Sequence, residues 1–310
     1  MAREIIIDTD PGRDDAVALL LALSVPETLS VLGVTCVAGN VALDATWRNA
    51  RRICALAGRA DIPVMAGCDR PLHRAPLTAE HVHGDDGLAG LNLPDSETPP
   101  DPHPAVDFLI KTLRARPTGT VTLVAIGPLT NIAAAFAHAP DITGRVAEIV
   151  VMGGAHLVPG NVTPVAEFNI HADPEAADAV LRAGAPVTLV PLDVTHKALV
   201  TPARHAAFAA LGTPVGRAVA ALTRADGAHR RHGGQGAPLH DPCTIAWLLA
   251  PDLFCARRAN VMVETGSNLC LGQTVVDWWS VTDRPTNALL LHDVDADGLL
   301  ALLTDRLARR

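Results

Sequence analysis

The sequence contains no tyrosine and only two lysines, Lys111 and Lys197. Its formal net charge is -8. A protein that binds a nucleic-acid backbone needs a concentrated basic surface to displace counterions, and this composition excludes one. A neutral or cationic small molecule remains possible as a ligand.

Features of secretion, membrane insertion and disulfide bonding are also missing. The chain runs directly into Glu4-Ile5-Ile6-Ile7 without the basic segment, apolar core and cleavage site of a signal peptide. No apolar run is long and charge-free enough to cross a bilayer. The six cysteines are never spaced as a zinc or redox pair, which is typical of small buried residues in a reducing compartment. We therefore expect a cytoplasmic protein that binds no membrane.

Apolar, β-branched runs alternate along the chain with Ala- and Leu-rich stretches of helical periodicity. The apolar runs are Glu4–Ile7, Leu29–Val37, Val121–Ile126, Glu148–Met152, Val187–Val190 and Val261–Val263. The helical stretches include Ala16–Leu23, Ala45–Leu56, Asn131–His138 and Pro174–Leu181. This alternation predicts an α/β fold with a mostly parallel, Rossmann-like sheet and helices on both faces. Without an internal repeat or a long linker, we expect a single domain over residues 1–310.

Polar residues follow several of the predicted strands. The first strand runs into Asp8-Thr9-Asp10, the second into Gly39-Asn40, and the Val187–Val190 strand into Asp193. Ligands of open parallel sheets bind beyond the carboxyl ends of the strands. The pattern therefore predicts an active site at this edge of the sheet.

Two long segments have no regular pattern. Residues 70–104 are rich in Pro, Gly, His and Asp, and residues 224–238 have a similar composition. Long irregular loops in a compact α/β domain are usually lids or binding loops, although a disordered surface insertion is the alternative. Both segments are candidates for closing over a substrate.

Four carboxylates lie within eight residues near the start of the chain: Asp8, Asp10, Asp14 and Asp15. Asp8 and Asp10 can share one face at a strand end, and Pro11-Gly12 turns the chain into a helix whose first turn holds the other two. Helix capping accounts for one or two of these acids. A hard cation such as calcium, which prefers six to eight oxygen ligands, accounts for the rest. Magnesium in a phosphoryl-transfer enzyme stays an alternative at this point.

The chain resembles the inosine–uridine preferring nucleoside hydrolase family over nearly its whole length. The motifs that carry the resemblance are Asp8-Thr9-Asp10-Pro11-Gly12-x-Asp14-Asp15-Ala16, Val37-Ala38-Gly39-Asn40-Val41, His81-Val82-His83-Gly84-Asp85-Asp86-Gly87-Leu88, Gly127-Pro128-Leu129-Thr130-Asn131, Val151-Met152-Gly153-Gly154-Ala155, Ala166-Glu167-Phe168-Asn169, Leu192-Asp193-Val194-Thr195-His196 and Leu239-His240-Asp241-Pro242. They occur in the family's order, and the first is highly specific by itself.

The resemblance implies a role for each matching position. It implies Ca²⁺ as the cofactor, with ligands from Asp10, Asp15, Asp241 and the backbone carbonyl of Ile126. The implied substrate contacts are Asp14, Asn40, Met152, Asn161, Glu167, Asn169 and again Asp241. His240 matches the candidate general acid, and His83 matches a loop histidine beside the base. A homodimer or homotetramer in nucleoside salvage is also implied.

These implied roles are chemically consistent. Cleavage of an N-glycosidic bond develops positive charge on the sugar ring, which an anionic pocket stabilises. The metal would hold a water and lower its pKa, so that Asp10 could take the proton. The same metal would bind the ribose 2'- and 3'-hydroxyls and exclude deoxyribose. Histidine is well matched to protonate the leaving base near neutral pH.

Several family members use tyrosines near the base, and this chain has none. Base recognition and leaving-group activation are therefore the least specified parts of the prediction. Two alternatives to the hydrolase remain. A metal-dependent phosphatase would need basic phosphate-binding residues near the acidic cluster, and a non-catalytic nucleoside-binding protein would not need a water-activating base.

Overall fold

The computed structural model describes residues 2–224 and 235–309. Its described residues form one nine-stranded sheet with the order β10-β9-β11-β6-β5-β4-β1-β2-β3. The strands are β1 Arg3–Thr9, β2 Leu29–Cys36, β3 Val64–Ala66, β4 Val121–Ala125, β5 Val146–Met152, β6 Val187–Val190, β9 Phe254–Val263, β10 Thr274–Asp277 and β11 Ala288–Val294. Only β9 runs antiparallel to its neighbours β10 and β11, so the predicted mostly parallel sheet is confirmed. A separate small pair joins β7 Leu199–Val200 to β8 Ala237–Pro238.

Helices cover both faces of the sheet, as predicted. They are α1 Arg13–Leu23, α2 Leu43–Leu56, α3 Glu80–His83, α4 Ala105–Ala115, α5 Thr130–His138, α6 Phe168–Ala172, α7 Pro174–Arg182, α8 Leu192–Thr195, α9 Pro202–Ala210, α10 Pro214–Leu222, α11 Pro242–Leu249 and α12 Ala296–Leu307. One hydrophobic cluster holds side chains of α1, α2, α10, α11 and α12, and the other holds side chains of α4, α5 and α7.

Strand β1 explains why the first apolar run is continuous rather than alternating. Ile5 and Ile7 belong to one hydrophobic cluster and Ile6 to the other, because successive side chains of a strand point to opposite faces. Burial on both faces requires apolar residues at every position. Since β1 pairs with both β2 and β4, its last residues lie where the carboxyl ends of three parallel strands meet.

The two irregular segments differ in how much of each the structure describes. Residues 70–104 form a loop that contains only the short helix α3 before α4 begins at Ala105. Most of the second segment, including Arg230-Arg231-His232-Gly233-Gly234, lies outside the described residues. Among the helices that are described, none has the length and apolar character needed to span a bilayer.

Candidate active site

The acidic segment forms a tight turn between β1 and α1. The Asp15 carboxylate caps this turn, because its Oδ2 accepts a hydrogen bond of 2.9 Å from the backbone N–H of Gly12. Its Oδ1 accepts one of 2.7 Å from the Thr9 hydroxyl. Asp14, Asp15 and Asp241 each offer a carboxylate oxygen, and these oxygens lie within 4.8 Å of one another. The turn thus collects carboxylates from two distant parts of the chain, α1 and the start of α11.

Asp10 lies fully buried beside this cluster. Its Oδ2 accepts a hydrogen bond of 2.7 Å from the backbone N–H of Asn40, whereas its Oδ1 has no hydrogen-bond partner among the described residues. The two glycines of the neighbouring strand ends make room for the carboxylate. A Cβ at Gly39 would lie 2.1 Å from Asp10 Oδ2, and one at Gly127 would lie 2.6 Å from Oδ1. Asp10 therefore presents an unsatisfied oxygen in a tightly fitted position.

Burial without a compensating cation raises the pKa of these carboxyl groups. It raises the pKa of Asp15 to about 6, with the charge of Asp14 as the second cause. Burial raises the pKa values of Asp10 and Asp241 well above the usual range, and neighbouring aspartates raise them further. Behind Asp10, burial raises the pKa of Asp8 to about 7, although Thr35 and Asn131 donate hydrogen bonds to it. Adjacent like charges and desolvation both disfavour the ionised forms.

The donor set at this site fits a hard divalent cation. All of the predicted ligands are oxygens: the carboxylates of Asp15 and Asp241 belong to the cluster with Asp14, that of Asp10 lies buried beside it, and Ile126 lines the same space. The buried Oδ1 of Asp10 lacks a partner, and buried anions are stable only when paired or bound to metal. A cation would satisfy that oxygen and offset the repulsion between the carboxylates.

A second group of polar side chains faces the same space from α6. Glu167 is the N-cap of this helix, and its carboxylate accepts hydrogen bonds from the backbone N–H groups of Gly154, Asn169 and Ile170. Burial raises the pKa of Glu167 to about 7, although these three donors lower it. The Asn169 amide donates to the carbonyls of Ile126 and Met152 at 3.1 and 3.2 Å. Both side chains are therefore rigidly oriented.

Histidines line the same space. His83, at the end of α3, accepts a hydrogen bond of 3.1 Å from the backbone N–H of Arg13 through its Nδ1. Burial lowers the pKa of His83. His240 precedes Asp241, and its Nδ1 lies 2.8 Å from the Thr195 hydroxyl. The rings of His196 and His240 are 5.8 Å apart between centroids.

These groups enclose one cavity of about 890 Å³. Ten of the twelve residues predicted from the sequence line it: Asp14, Asn40, His83, Ile126, Met152, Asn161, Glu167, Asn169, His240 and Asp241. The other two, Asp10 and Asp15, lie beside it. Asp10 accepts a hydrogen bond from the Asn40 backbone N–H, and Asp15 accepts one from the Asn40 side-chain amide. The tertiary fold thus brings all twelve together, while their individual roles stay predictions.

The residues that support this site were not found from the sequence. Asn131 donates a hydrogen bond of 2.8 Å to the Asp8 carboxylate. The Asn49 amide donates hydrogen bonds to the backbone carbonyls of both Pro11 and Asp86. Arg13 donates to the carbonyl of Leu222 at 2.7 Å. The signal available for Asn131 was its place in Gly127-Pro128-Leu129-Thr130-Asn131 after a strand, whereas nothing local marks Arg13 or Asn49.

The fold is a mostly parallel α/β sheet, and the site at its carboxyl edge is a carboxylate cluster that could hold a metal ion. The comparisons with known proteins define the class of protein. The family model of the inosine-uridine preferring nucleoside hydrolases matches residues 5–301. The chain belongs to this family, and this confirms the resemblance seen in its motifs. Family membership supports ribonucleoside hydrolysis over the phosphatase alternative.

Individual relatives agree with the family match. The chain is 48% identical over 311 residues to a pyrimidine-specific ribonucleoside hydrolase RihA of Shewanella sp. (strain MR-7), covering 99% of this chain and 97% of the relative. A plant nucleoside hydrolase structure is similar with a TM-score of 0.92 at 35% identity, covering 99% of both chains. A purine-preferring ribonucleoside hydrolase from Gardnerella vaginalis has the same TM-score at 32% identity, covering 99% of this chain and 98% of that one.

Proposed function

We propose that this protein hydrolyses the N-glycosidic bond of ribonucleosides, with Ca²⁺ as its cofactor and pyrimidine ribonucleosides as its preferred substrates. The observation that carries the proposal is the cluster of Asp14, Asp15 and Asp241 at the edge of the cavity, with the buried Asp10 beside it. Within residues 2–224 and 235–309, no lysine or arginine forms an ion pair with any of them. A fold that buries Asp10, Asp15 and Asp241 beside one another without such an ion pair in these residues needs a functional reason.

Asp10, Asp15, Asp241 and the carbonyl of Ile126 would hold the cation. When bound, it would lower the pKa of a water, orient the ribose and neutralise part of the carboxylate charge. Calcium fits better than magnesium because the ligands come from three separate segments, and calcium tolerates such irregular oxygen cages.

The side chain of Asp10 supplies the base. Its Oδ2 accepts a hydrogen bond from the Asn40 backbone N–H, which fixes the orientation of the carboxylate that accepts the proton. As the bond to the base breaks, positive charge develops on the ribose ring. Asp14 and Asp241, which line the cavity, stabilise that charge electrostatically without reorganising.

The ribose hydroxyls bind the polar group on α6 and the loop before it. Glu167 and Asn169 are fixed by the hydrogen bonds described above, and Asn161 lines the same wall. Asn161 is itself oriented, because its Oδ1 accepts a hydrogen bond of 2.9 Å from the Phe168 backbone N–H. A neutral nucleoside suits this wall, whereas the phosphate of a nucleotide would be repelled by the carboxylates.

The base lies towards the histidines. His240 donates the proton to the departing base, and His83 contacts the base from the loop of residues 70–104. The preference for pyrimidines is supported by relatives at 46 to 48% identity that are named pyrimidine-specific ribonucleoside hydrolases. The purine-preferring enzyme is a more distant match, at 32%.

The test is ribose release from uridine, cytidine, inosine and adenosine and from their 2'-deoxy forms, with and without a chelator. We expect release from the ribonucleosides, fastest with uridine and cytidine, abolished by the chelator and restored by calcium. No release from any nucleoside by folded, calcium-loaded protein would overturn the proposal and favour a nucleoside-binding protein. Restoration by magnesium but not by calcium would overturn the choice of ion alone.

We further propose that residues 1–310 form one domain, that the protein is a homodimer or homotetramer, and that it acts in the cytoplasm in nucleoside salvage. The oligomeric state is measured by light scattering on the eluting protein.

A further inference from the structure

The Thr195 hydroxyl is a buried polar group beside the proposed proton donor. Thr195 is fully buried at the end of α8, and its Oγ1 lies 2.8 Å from Nδ1 of His240. The two residues are 45 positions apart in sequence. The short helix α8 directly follows β6, whereas His240 lies just before α11. The contact therefore depends on the tertiary fold and joins two elements at the same edge of the sheet.

A histidine ring needs such a contact if one nitrogen is to face a substrate. The torsion that turns an imidazole ring has broad, roughly two-fold preferences, so the ring is poorly fixed by its own rotamer. A partner at Nδ1 fixes it and leaves Nε2 on the opposite edge. A threonine hydroxyl suits both protonation states, because it accepts from Nδ1–H in the imidazolium and donates to Nδ1 in the neutral ring.

We propose that Thr195 is a positioning residue that aims Nε2 of His240 at the leaving nitrogen of the base. This inference rests on the proposed function and adds a group that does not touch the substrate. As the glycosidic bond breaks, its electron pair moves to the base nitrogen and the proton of Nε2 bonds to that nitrogen. Water supplies the hydroxyl group to C1', and its remaining proton goes to Asp10, so the net reaction adds one water across the bond.

The experiment compares two leaving groups in the variants Thr195→Val and Thr195→Ser. Uridine loses a base that needs a proton, whereas 4-nitrophenyl riboside loses a stable phenolate that does not. For Thr195→Val we expect kcat on uridine to fall by about 10- to 100-fold, part of the roughly 10²–10⁴ that a positioned acid contributes. The kcat on 4-nitrophenyl riboside should stay within about twofold, since that substrate does not use the acid. Thr195→Ser keeps the hydroxyl and should restore uridine hydrolysis.

Two further variants separate positioning from general damage. Thr188→Val removes another buried hydroxyl, on β6, which donates to Glu148 rather than to a site residue. It should leave the ratio of the two activities unchanged. His240→Ala should show the same selective loss as Thr195→Val but a larger one, and the double variant should lose no more than His240→Ala alone, because the two residues act as one unit.

The outcomes are distinguishable. Equal loss on both substrates in Thr195→Val, or failure of Thr195→Ser to restore uridine hydrolysis, would overturn the positioning role. A selective loss in His240→Ala without one in Thr195→Val would overturn this inference alone. If His240→Ala is equally active on uridine and 4-nitrophenyl riboside relative to the parent protein, the proton-donor role in the proposed function fails, and the positioning role fails with it.

Discussion

Carboxylates lie at both ends of the central sheet, but the two ends differ in the partners that these carboxylates have. At the amino end, Glu148 on β5 forms an ion pair with Arg3 and accepts hydrogen bonds from Thr188 and Trp247. At the carboxyl end, Asp10 keeps an oxygen without a partner among the described residues.

The difference shows that this fold can pair a partly buried carboxylate, such as that of Glu148, with a basic side chain and hydrogen-bond donors. A positively charged side chain also lies near the acidic cluster, because Arg13 follows Gly12 directly. Its guanidinium instead donates to the backbone carbonyls of Leu222 and Arg224. The carboxyl end thus buries several acidic groups together at a cost in stability, which is typical of a site that binds a cation and a cationic transition state.

The largest effect is expected for a change at Asp10, whose Oδ1 has no hydrogen-bond partner within residues 2–224 and 235–309. Asp10→Asn removes the proton acceptor but keeps the shape and an oxygen for the Asn40 N–H. We expect kcat for ribonucleosides to fall by about 10³-fold, as when a general base is lost, with only a modest change in melting temperature. Steady-state ribose release and thermal denaturation measure both. Full activity in this variant would contradict the base assignment.

Calcium binding should raise the free energy of unfolding, because it offsets the charges of the carboxylates at the carboxyl end of the sheet. At 100 times its Kd, a bound ligand stabilises the folded state by about 2.7 kcal/mol, which corresponds to roughly 5 °C in a chain of this size. Because a raised pKa favours the neutral form of a carboxyl group in the folded protein, the stability that Asp8, Asp15 and Glu167 contribute without a cation should be fully present below about pH 4. This contribution should be lost as pH rises through their folded pKa values, about 6 for Asp15 and about 7 for Asp8 and Glu167.

Protons and calcium compete for the same oxygens, so the calcium-induced rise in melting temperature should be larger at pH 7.5 than at pH 5. Calorimetric scans at the two pH values, with chelator or with calcium, measure this difference. A calcium effect that is equal at both values, or larger at pH 5, would show that the cation does not bind these carboxylates.

Removing one charge from the acidic cluster should have a smaller effect, with a sign that depends on calcium. Asp15→Asn relieves repulsion, so without cation at pH 7.5 it should stabilise the protein by about 1 kcal/mol. With calcium it should be less stable than the parent protein, because a ligand is gone. Chemical denaturation with and without calcium tests both signs. Destabilisation in both conditions would mean that the hydrogen bonds of Asp15 to Thr9 and Gly12 outweigh the repulsion.

The smallest effect is expected at the amino end of the sheet. Glu148→Gln loses the charge that pairs with Arg3 but keeps an acceptor for Thr188. Since Arg3 is 38% exposed, the ion pair is partly screened, and we expect a loss of about 1 kcal/mol or less. The loss should be the same with and without calcium, and ribose release should be unchanged. Altered hydrolysis would show that the two ends of the sheet are coupled.

Much of the fold could be predicted because its signals are local. Continuous apolar runs such as Glu4–Ile7 indicated strands buried on both faces. All six predicted strands and all four predicted helices occur in the structure. The direction of β9, which runs antiparallel to β10 and β11, could not be assigned, because strand direction depends on which neighbour a strand pairs with. Contacts such as Asn131 with Asp8, 123 residues apart, leave no periodic pattern in the sequence.

By itself, the sequence determined the chemical character of this protein: oxygen ligands near the start of the chain, a parallel α/β sheet, and histidines in two separate motifs. These properties depend on residue type and short-range order. Only the tertiary structure decided that Asp10 Oδ1 has no hydrogen-bond partner in the part of the chain that the structure describes, that the Arg13 guanidinium donates to the carbonyls of Leu222 and Arg224, and that Thr195 contacts His240. Each depends on which groups a buried atom can reach, which is known only when distant segments have packed together.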